Sequence, residues 1–87
     1  MTQYAVTLAD SARKELRVLP AHVVQRVHAK LRELTINPRP SGCKKLQGHK
    51  NCWRIRVGDY RIVYTIDDAK TLVDITRIAH RKEVYEP

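Results

Sequence analysis

After Cys52-Trp53 the sequence reads Arg54-Ile55-Arg56-Val57-Gly58-Asp59-Tyr60-Arg61, and after Arg77 it reads Ile78-Ala79-His80-Arg81-Lys82-Glu83-Val84-Tyr85. A guanidinium group holds phosphate oxygens in a bidentate fork and keeps its charge at any working pH. Arg54, Arg56, Arg61 and Arg81 are therefore suited to clamp phosphate and to stabilise charge that builds on it. Arginine does not readily move a proton, but His80 and Tyr85 can. Together these groups fit the cleavage of RNA, which carries its own nucleophile in the 2′-hydroxyl. That reaction needs a base for the hydroxyl proton, cations for the phosphorane, an acid for the leaving 5′-oxygen, and an in-line geometry. It calls for no metal and no other cofactor. Lys44, Lys45, Lys50, Arg77 and Lys82 would extend the surface that meets the polyanion. Plainer roles stay open at this level: His80 as a satisfied structural histidine, Tyr85 as a packing aromatic, and one arginine paired with Asp67, Asp74 or Glu83.

The charge is distributed in keeping with that chemistry. The chain has 87 residues and a formal charge of +8. Residues 39–61 hold Arg39, Lys44, Lys45, Lys50, Arg54, Arg56 and Arg61 against Asp59 alone, so +6 of the excess falls in about a quarter of the chain. A concentrated basic patch suits nucleic acid or an acidic protein segment. The length allows one domain, residues 1–87. A chain of this size buries only about 60–65% of its unfolded surface, which leaves little room for a deep private cavity, so a large substrate must be met on a surface. No run approaches the roughly 18 apolar residues that span a bilayer, and the first ten residues lack a basic segment followed by an apolar one. A soluble, cytoplasmic protein with no membrane partner is expected.

The elements that must position the arginines follow from hydrophobic periodicity. Tyr4, Val6 and Leu8 alternate with polar or small residues, as in a half-buried strand. Asp10 or Ser11 can cap a first helix that carries Ala12, Leu16 and Leu19 on one face and stops at Pro20. Pro20 can open a second helix, with Val23, Val24, Val27, Leu31 and Leu34 at spacings of three and four, ending near Asn37 and Pro38. The short join implies an antiparallel helix pair. Residues 38–51 read as a basic loop. Alternation then returns as Trp53, Ile55 and Val57, Gly58-Asp59, and Tyr60, Ile62, Tyr64 and Ile66, which is a tight hairpin. Residues 71–79 form a further strand whose broken alternation at Val73, Ile75 and Ile78 predicts a bulge near Thr76 or burial on both faces. The order β-α-α-β-β-β implies an α+β fold, a twisted antiparallel sheet with the helical hairpin packed on one face.

Counting outward from Gly58-Asp59 pairs Val57 with Tyr60, Arg56 with Arg61, Ile55 with Ile62, Arg54 with Val63, and Trp53 with Tyr64. The apolar pairs fall on one face and the three arginines on the other. Like charges directly opposite each other destabilise a sheet by a few tenths of a kcal/mol to about 1 kcal/mol. Folding alone would not select Arg56 opposite Arg61, so the pair reads as a phosphate site.

The segment Cys52-Trp53-Arg54-Ile55-Arg56-Val57-Gly58-Asp59-Tyr60-Arg61-Ile62-Val63-Tyr64, with Ile78-Ala79-His80-Arg81-Lys82-Glu83-Val84-Tyr85, resembles the RelE toxins of the RelE/ParE superfamily, from type II toxin–antitoxin systems. The likeness extends over essentially the whole chain, including Lys44-Lys45-Leu46-Gln47-Gly48 and the helix pair. It implies the RelE-like microbial RNase fold and a ribosome-dependent mRNA endoribonuclease that cuts the A-site codon, leaving a 2′,3′-cyclic phosphate and a 5′-hydroxyl. It also implies a cognate antitoxin that covers the site and co-represses the operon, with operator DNA reached only through that complex. The family's catalytic basic pair falls on Arg54 and Arg56, its arginine after the turn on Arg61, its C-terminal arginine on Arg81, and its terminal tyrosine on Tyr85. The best-known RelE carries lysines where Arg54 and Arg56 stand, and arginine is a poor proton acceptor, so the proton-moving role falls to Tyr85 or His80.

Two other functional classes share the pattern. ParE toxins have this fold and much of the hairpin, yet inhibit DNA gyrase without cutting. A plain nucleic-acid-binding module would show salt-dependent binding without turnover. Cys43, His49, Cys52 and His80 lack the short Cys-x-x-Cys spacing of a zinc site, and the expected compartment disfavours a disulfide. His22 and His28 read as polar-face residues of the second helix, and Trp53 and Tyr64 as core.

Overall fold

A computed structural model describes residues 3–48 and 51–83. The chain runs β1 (Ala5–Leu8), α1 (Asp10–Arg17), α2 (Ala21–Ile36), β2 (Lys44–Lys45), β3 (Cys52–Val57), β4 (Tyr60–Asp67) and β5 (Leu72–His80). The strands form one sheet in the order β1-β5-β4-β3-β2. Ala12 of α1 and Val23, Val27, Leu31 and Leu34 of α2 share one core cluster with inward residues of β3, β4 and β5. Both helices thus cover the same face, giving the expected α+β layering. No helix among the described residues is long and apolar enough to cross a membrane.

The sheet departs from the expected all-antiparallel form at its first strand. β1 pairs in parallel with β5, Val6 opposite Val73 and Leu8 opposite Ile75. The meander from β3 to β5 is antiparallel, and β1 lies along its β5 side, where the intervening helices and hairpin serve as the crossover that a parallel pair requires. β2 was not expected inside the basic loop. Its two residues, Lys44 opposite Arg54 and Lys45 opposite Trp53, are too few to show a period, and lysines on a short edge strand discourage pairing with other chains.

Neither Asp10 nor Ser11 caps α1. Ala9 holds that position with no side-chain hydrogen bond to the helix. Ser11 Oγ instead donates to the Thr76 carbonyl at 2.7 Å, and Glu15 Oε1 accepts from the Ile78 N–H at 2.8 Å. α1 thereby covers the edge of β5 that β1, ending at Leu8, leaves open. Pro20 sits just before α2 and its carbonyl accepts from Val23 and Val24, both at 3.0 Å.

The broken alternation of β5 is a bulge. Val63 pairs with Arg77, but Tyr64 pairs with Ile75, leaving Thr76 unmatched, its Oγ1 donating to the Val63 carbonyl at 3.2 Å. The extra residue puts Ile75 and Ile78 on the same buried face although three positions separate them.

Two contacts fix the chain between α2 and β2. The Tyr64 hydroxyl donates to the buried Pro38 carbonyl at 2.9 Å, and burial pushes the phenol pKa well above its ordinary value. Arg39 makes a two-pronged contact with Asp68 at 3.2 and 2.9 Å, and its guanidinium lies 5.2 Å from the centre of the Trp53 ring. Tyr64→Phe leaves the Pro38 carbonyl without its donor and should cost about 1–2 kcal/mol. A melting midpoint lowered by roughly 5–15 °C is expected in thermal unfolding.

Asp68 also accepts from the Tyr4 hydroxyl at 2.7 Å. The hydrogen bond from Arg39, then that from Tyr4, holds its carboxyl below the usual range. A carboxyl depressed in the folded state stabilises fully above its unfolded pKa and loses that contribution as pH falls through the folded pKa. As pH falls below about 4 the melting midpoint of Asp68→Asn should therefore fall less steeply than that of the wild type. Parallel acid profiles would show that the contact adds nothing.

Candidate nucleic-acid interface

The β3–β4 hairpin has the register read from the sequence, Val57 opposite Tyr60 through Cys52 opposite Thr65. Gly58 takes φ 60°, which a side-chain-bearing residue adopts only under strain. Directly paired residues share a face, so Arg54, Arg56 and Arg61 all project from the side away from the helices. Extended across the sheet, one row reads Lys44, Arg54, Val63 and Arg77, and the next Arg56, Arg61 and Ala79. Val63 and Ala79, with Leu46 and Cys52 packed against them, form a small apolar floor on this face.

Arg61 is only 6% exposed. Its Nη1 donates to the Gly58 carbonyl at 3.2 Å and the Tyr60 carbonyl at 3.1 Å, so the turn fixes the plane of the guanidinium. Arg54 is half-buried and Arg56 exposed. Arg81, just past β5, donates its backbone N–H to the Asp59 carbonyl at 2.8 Å, and its Nε lies 3.9 Å from the Asp59 carboxylate. This places it beside the hairpin turn.

Other sequence-predicted residues lie elsewhere. His80 pairs with Tyr60 and therefore faces the helices, its ring edge-on to the tyrosine with centroids 5.4 Å apart. It lines a pocket of about 230 Å³ with Glu15, Leu19 and Glu83. The structure does not bring it beside the arginine row, because the Thr76 bulge reverses the parity of the residues that follow. The same reversal assigns Arg77 to the arginine face, but its guanidinium turns to Glu15 at 3.1 Å. Lys45 pairs with Trp53 and shares the opposite face from Lys44. Lys82 is exposed and donates its N–H to His80 Nδ1 at 3.2 Å. Tyr85, Lys50 and His49 lie outside the described residues.

The family model described as the ParE toxin of the type II toxin-antitoxin system, parDE, matches residues 6–85. Over 86 residues the chain is 33% identical to the mRNA interferase toxin RelE of Escherichia coli K12, covering 94% of this chain and 90% of that one. The chain belongs to the RelE-type toxins of type II toxin–antitoxin systems. It is also 32% identical over 85 residues to the toxin RelE3 of Methanocaldococcus jannaschii, covering 93% of this chain and 94% of that one. A chain in the crystal structure of an archaeal RelE–RelB complex from Pyrococcus horikoshii superposes with a TM-score of 0.83 at 27% identity, covering 97% of this chain and all of that one.

In this RelE-type toxin the two cysteines are free thiols, with Cys43 packed against the helix-side core and Cys52 against the apolar floor of the arginine face. Sequence reading missed one basic residue near the hairpin. Arg26 of α2 brings Nη1 within 2.9 Å of where a Cβ on Gly58 would stand. It lies on the polar side of α2, and only the docking of that helix on the sheet reveals the approach.

Proposed function

We propose that this toxin is a ribosome-dependent endoribonuclease that cuts mRNA in the A site by attack of the 2′-hydroxyl on the adjacent phosphate. The observation that carries the reading is the Arg54, Arg56 and Arg61 set on the sheet face opposite the core, with Arg61 held in plane by the turn. Folding alone gives no reason to put Arg56 across from Arg61. The name of the E. coli relative, mRNA interferase toxin RelE, supports the same activity.

In this reading Arg61 binds the non-bridging oxygens and stabilises the phosphorane, while Arg54 and Arg56 hold the scissile and neighbouring phosphates. Arg81, at the hairpin turn, supplies a further cation. Lys44 extends the face toward incoming RNA, with Lys45, Lys50, Arg77 and Lys82 as secondary contacts to RNA or ribosome. Proton transfer falls to Tyr85, because His80 faces the helices. The products are a 2′,3′-cyclic phosphate and a 5′-hydroxyl, and the ribosome imposes the in-line geometry that so small a surface cannot. RelE–RelB complexes among the similar structures support a cognate antitoxin, and in this reading that partner covers the arginine face and represses the operon jointly with the toxin, in the cytoplasm.

The test is to add purified toxin to translating ribosomes and map mRNA 5′ ends. A-site cuts that disappear with Arg81→Ala support the reading. The ParE family model keeps a second reading in play, gyrase inhibition without nuclease activity, and intact mRNA with stalled gyrase would establish it instead. Within the nuclease reading, Tyr85→Phe should slow cleavage by about 10²-fold. His80→Gln should change it less than about threefold, as expected of a residue outside the proton path. A single-turnover rate on programmed ribosomes separates the two, and comparable losses would return His80 to the chemistry.

A further inference from the structure

β2 covers β3 only at Trp53 and Arg54, so among the described residues the edge of β3 at positions 55–57 has no strand beside it. Along that edge lies a pocket of about 290 Å³, lined from α2 by Arg26, Lys30 and Glu33 and from the hairpin by Arg56 and Gly58. Lys30 is bound to Glu33 at 2.9 Å, which matches one positive charge with one negative. Among the described residues the side chains of Arg26 and Arg56 make no hydrogen bond or ion pair, so the pocket is lined by two residues whose guanidinium groups are unmatched. Gly58 contributes by lacking a side chain, since a Cβ there would meet Arg26 Nη1 at 2.9 Å.

We propose that Arg26 and Arg56 form a second phosphate-binding site at the open edge of β3, which grips the RNA backbone next to the arginine row. The proposal rests on the nuclease reading above. Arg56 stands at the β3 end of the Arg56–Arg61 row and also lines the pocket with Arg26, so a run of phosphates on that row that turns over the open edge of β3 meets Arg26. This continuity favours RNA over an acidic peptide as the occupant. Arg26 is then a binding residue that positions the strand, while Arg61 acts at the reacting phosphate.

The probe is a short single-stranded 2′-O-methyl oligoribonucleotide, which binds but has no free 2′-hydroxyl to attack. Its affinity for the whole toxin is followed by fluorescence anisotropy over a salt series. Arg26→Gln should weaken binding about threefold to tenfold at low salt and reduce the slope of log affinity against log salt by about 0.7, the contribution of one phosphate contact to a single strand. Arg26→Lys should restore the slope, and because Arg26 is exposed the melting midpoint should not move. If Arg26→Gln binds as the wild type does while Arg61→Gln loses affinity, the second site is wrong and the arginine row stands. If neither variant changes binding, both readings fail. An Arg26→Gln toxin that keeps its RNA affinity but loses affinity for its antitoxin would assign the pocket to acidic peptide and overturn the proposal.

Discussion

Arg61→Ala should lower A-site cleavage by about 10²–10³-fold, the cost of removing one pre-positioned donor from a developing oxyanion. The size of the effect follows from how the side chain is held. A guanidinium already bonded to the Gly58 and Tyr60 carbonyls does not need to reorganise when charge builds on the phosphate. The like-charge pairing with Arg56 alone implies that the variant should fold undisturbed. The 6% exposure of Arg61 changes that expectation, because alanine also removes hydrogen bonds to the turn and opens a space beneath the face. Relief of repulsion and loss of those bonds oppose each other, leaving a net loss of about 1 kcal/mol. A fall in the melting midpoint of roughly 4–8 °C should accompany the loss of cleavage. Arg61→Lys, which retains the charge but not the planar fork, should recover only part of the rate. Undiminished cleavage by Arg61→Ala would remove the arginine row from the chemistry.

Ile78→Lys should abolish cooperative folding. The bulge at Thr76 sets Ile78 in the core, where it is 1% exposed, and leaves Arg77 on the opposite face. Burying an unpaired ammonium in place of an isoleucine costs more than about 4 kcal/mol, most of the stability of a domain this small. The strand cannot escape by sliding, because that would break the Val6–Val73 and Leu8–Ile75 register with β1. Thr76→Ala keeps the extra residue and loses only the hydroxyl contact to Val63, so a shift of about 1 kcal/mol is expected. Urea unfolding of the two variants compares them directly. An Ile78→Lys variant with wild-type stability would show that residue 78 does not face the core.

These two residues also mark how far the sequence could be read. The register around Arg61 was legible to the residue because Gly58-Asp59 and unbroken alternation on both sides allow one pairing. The position of the bulge was legible too, from the three-residue step between Ile75 and Ile78. Its consequence for His80 was not legible, because spacing along a strand fails to give the facing of a residue once an extra one is inserted. The capping expectation failed at Ser11 because its best partner, the Thr76 carbonyl, is 65 positions away in sequence. β2 is too short to carry a pattern, and the approach of Arg26 to Gly58 depends on helix docking that no local signal encodes.

The parallel pairing of β1 with β5 has a consequence for the newborn chain. β5 lies between β1 and β4, so β1 has no neighbour in the sheet until β5 has emerged. Contacts of such long sequence separation are slow to form, and here they cannot form at all during most of synthesis. The arginine hairpin leaves the ribosome before the strand that flanks β4 exists. A nascent or prematurely ended chain therefore carries the cationic residues without the rigid sheet that aligns them, and the translating ribosome is not exposed to an assembled toxin until β5 has emerged.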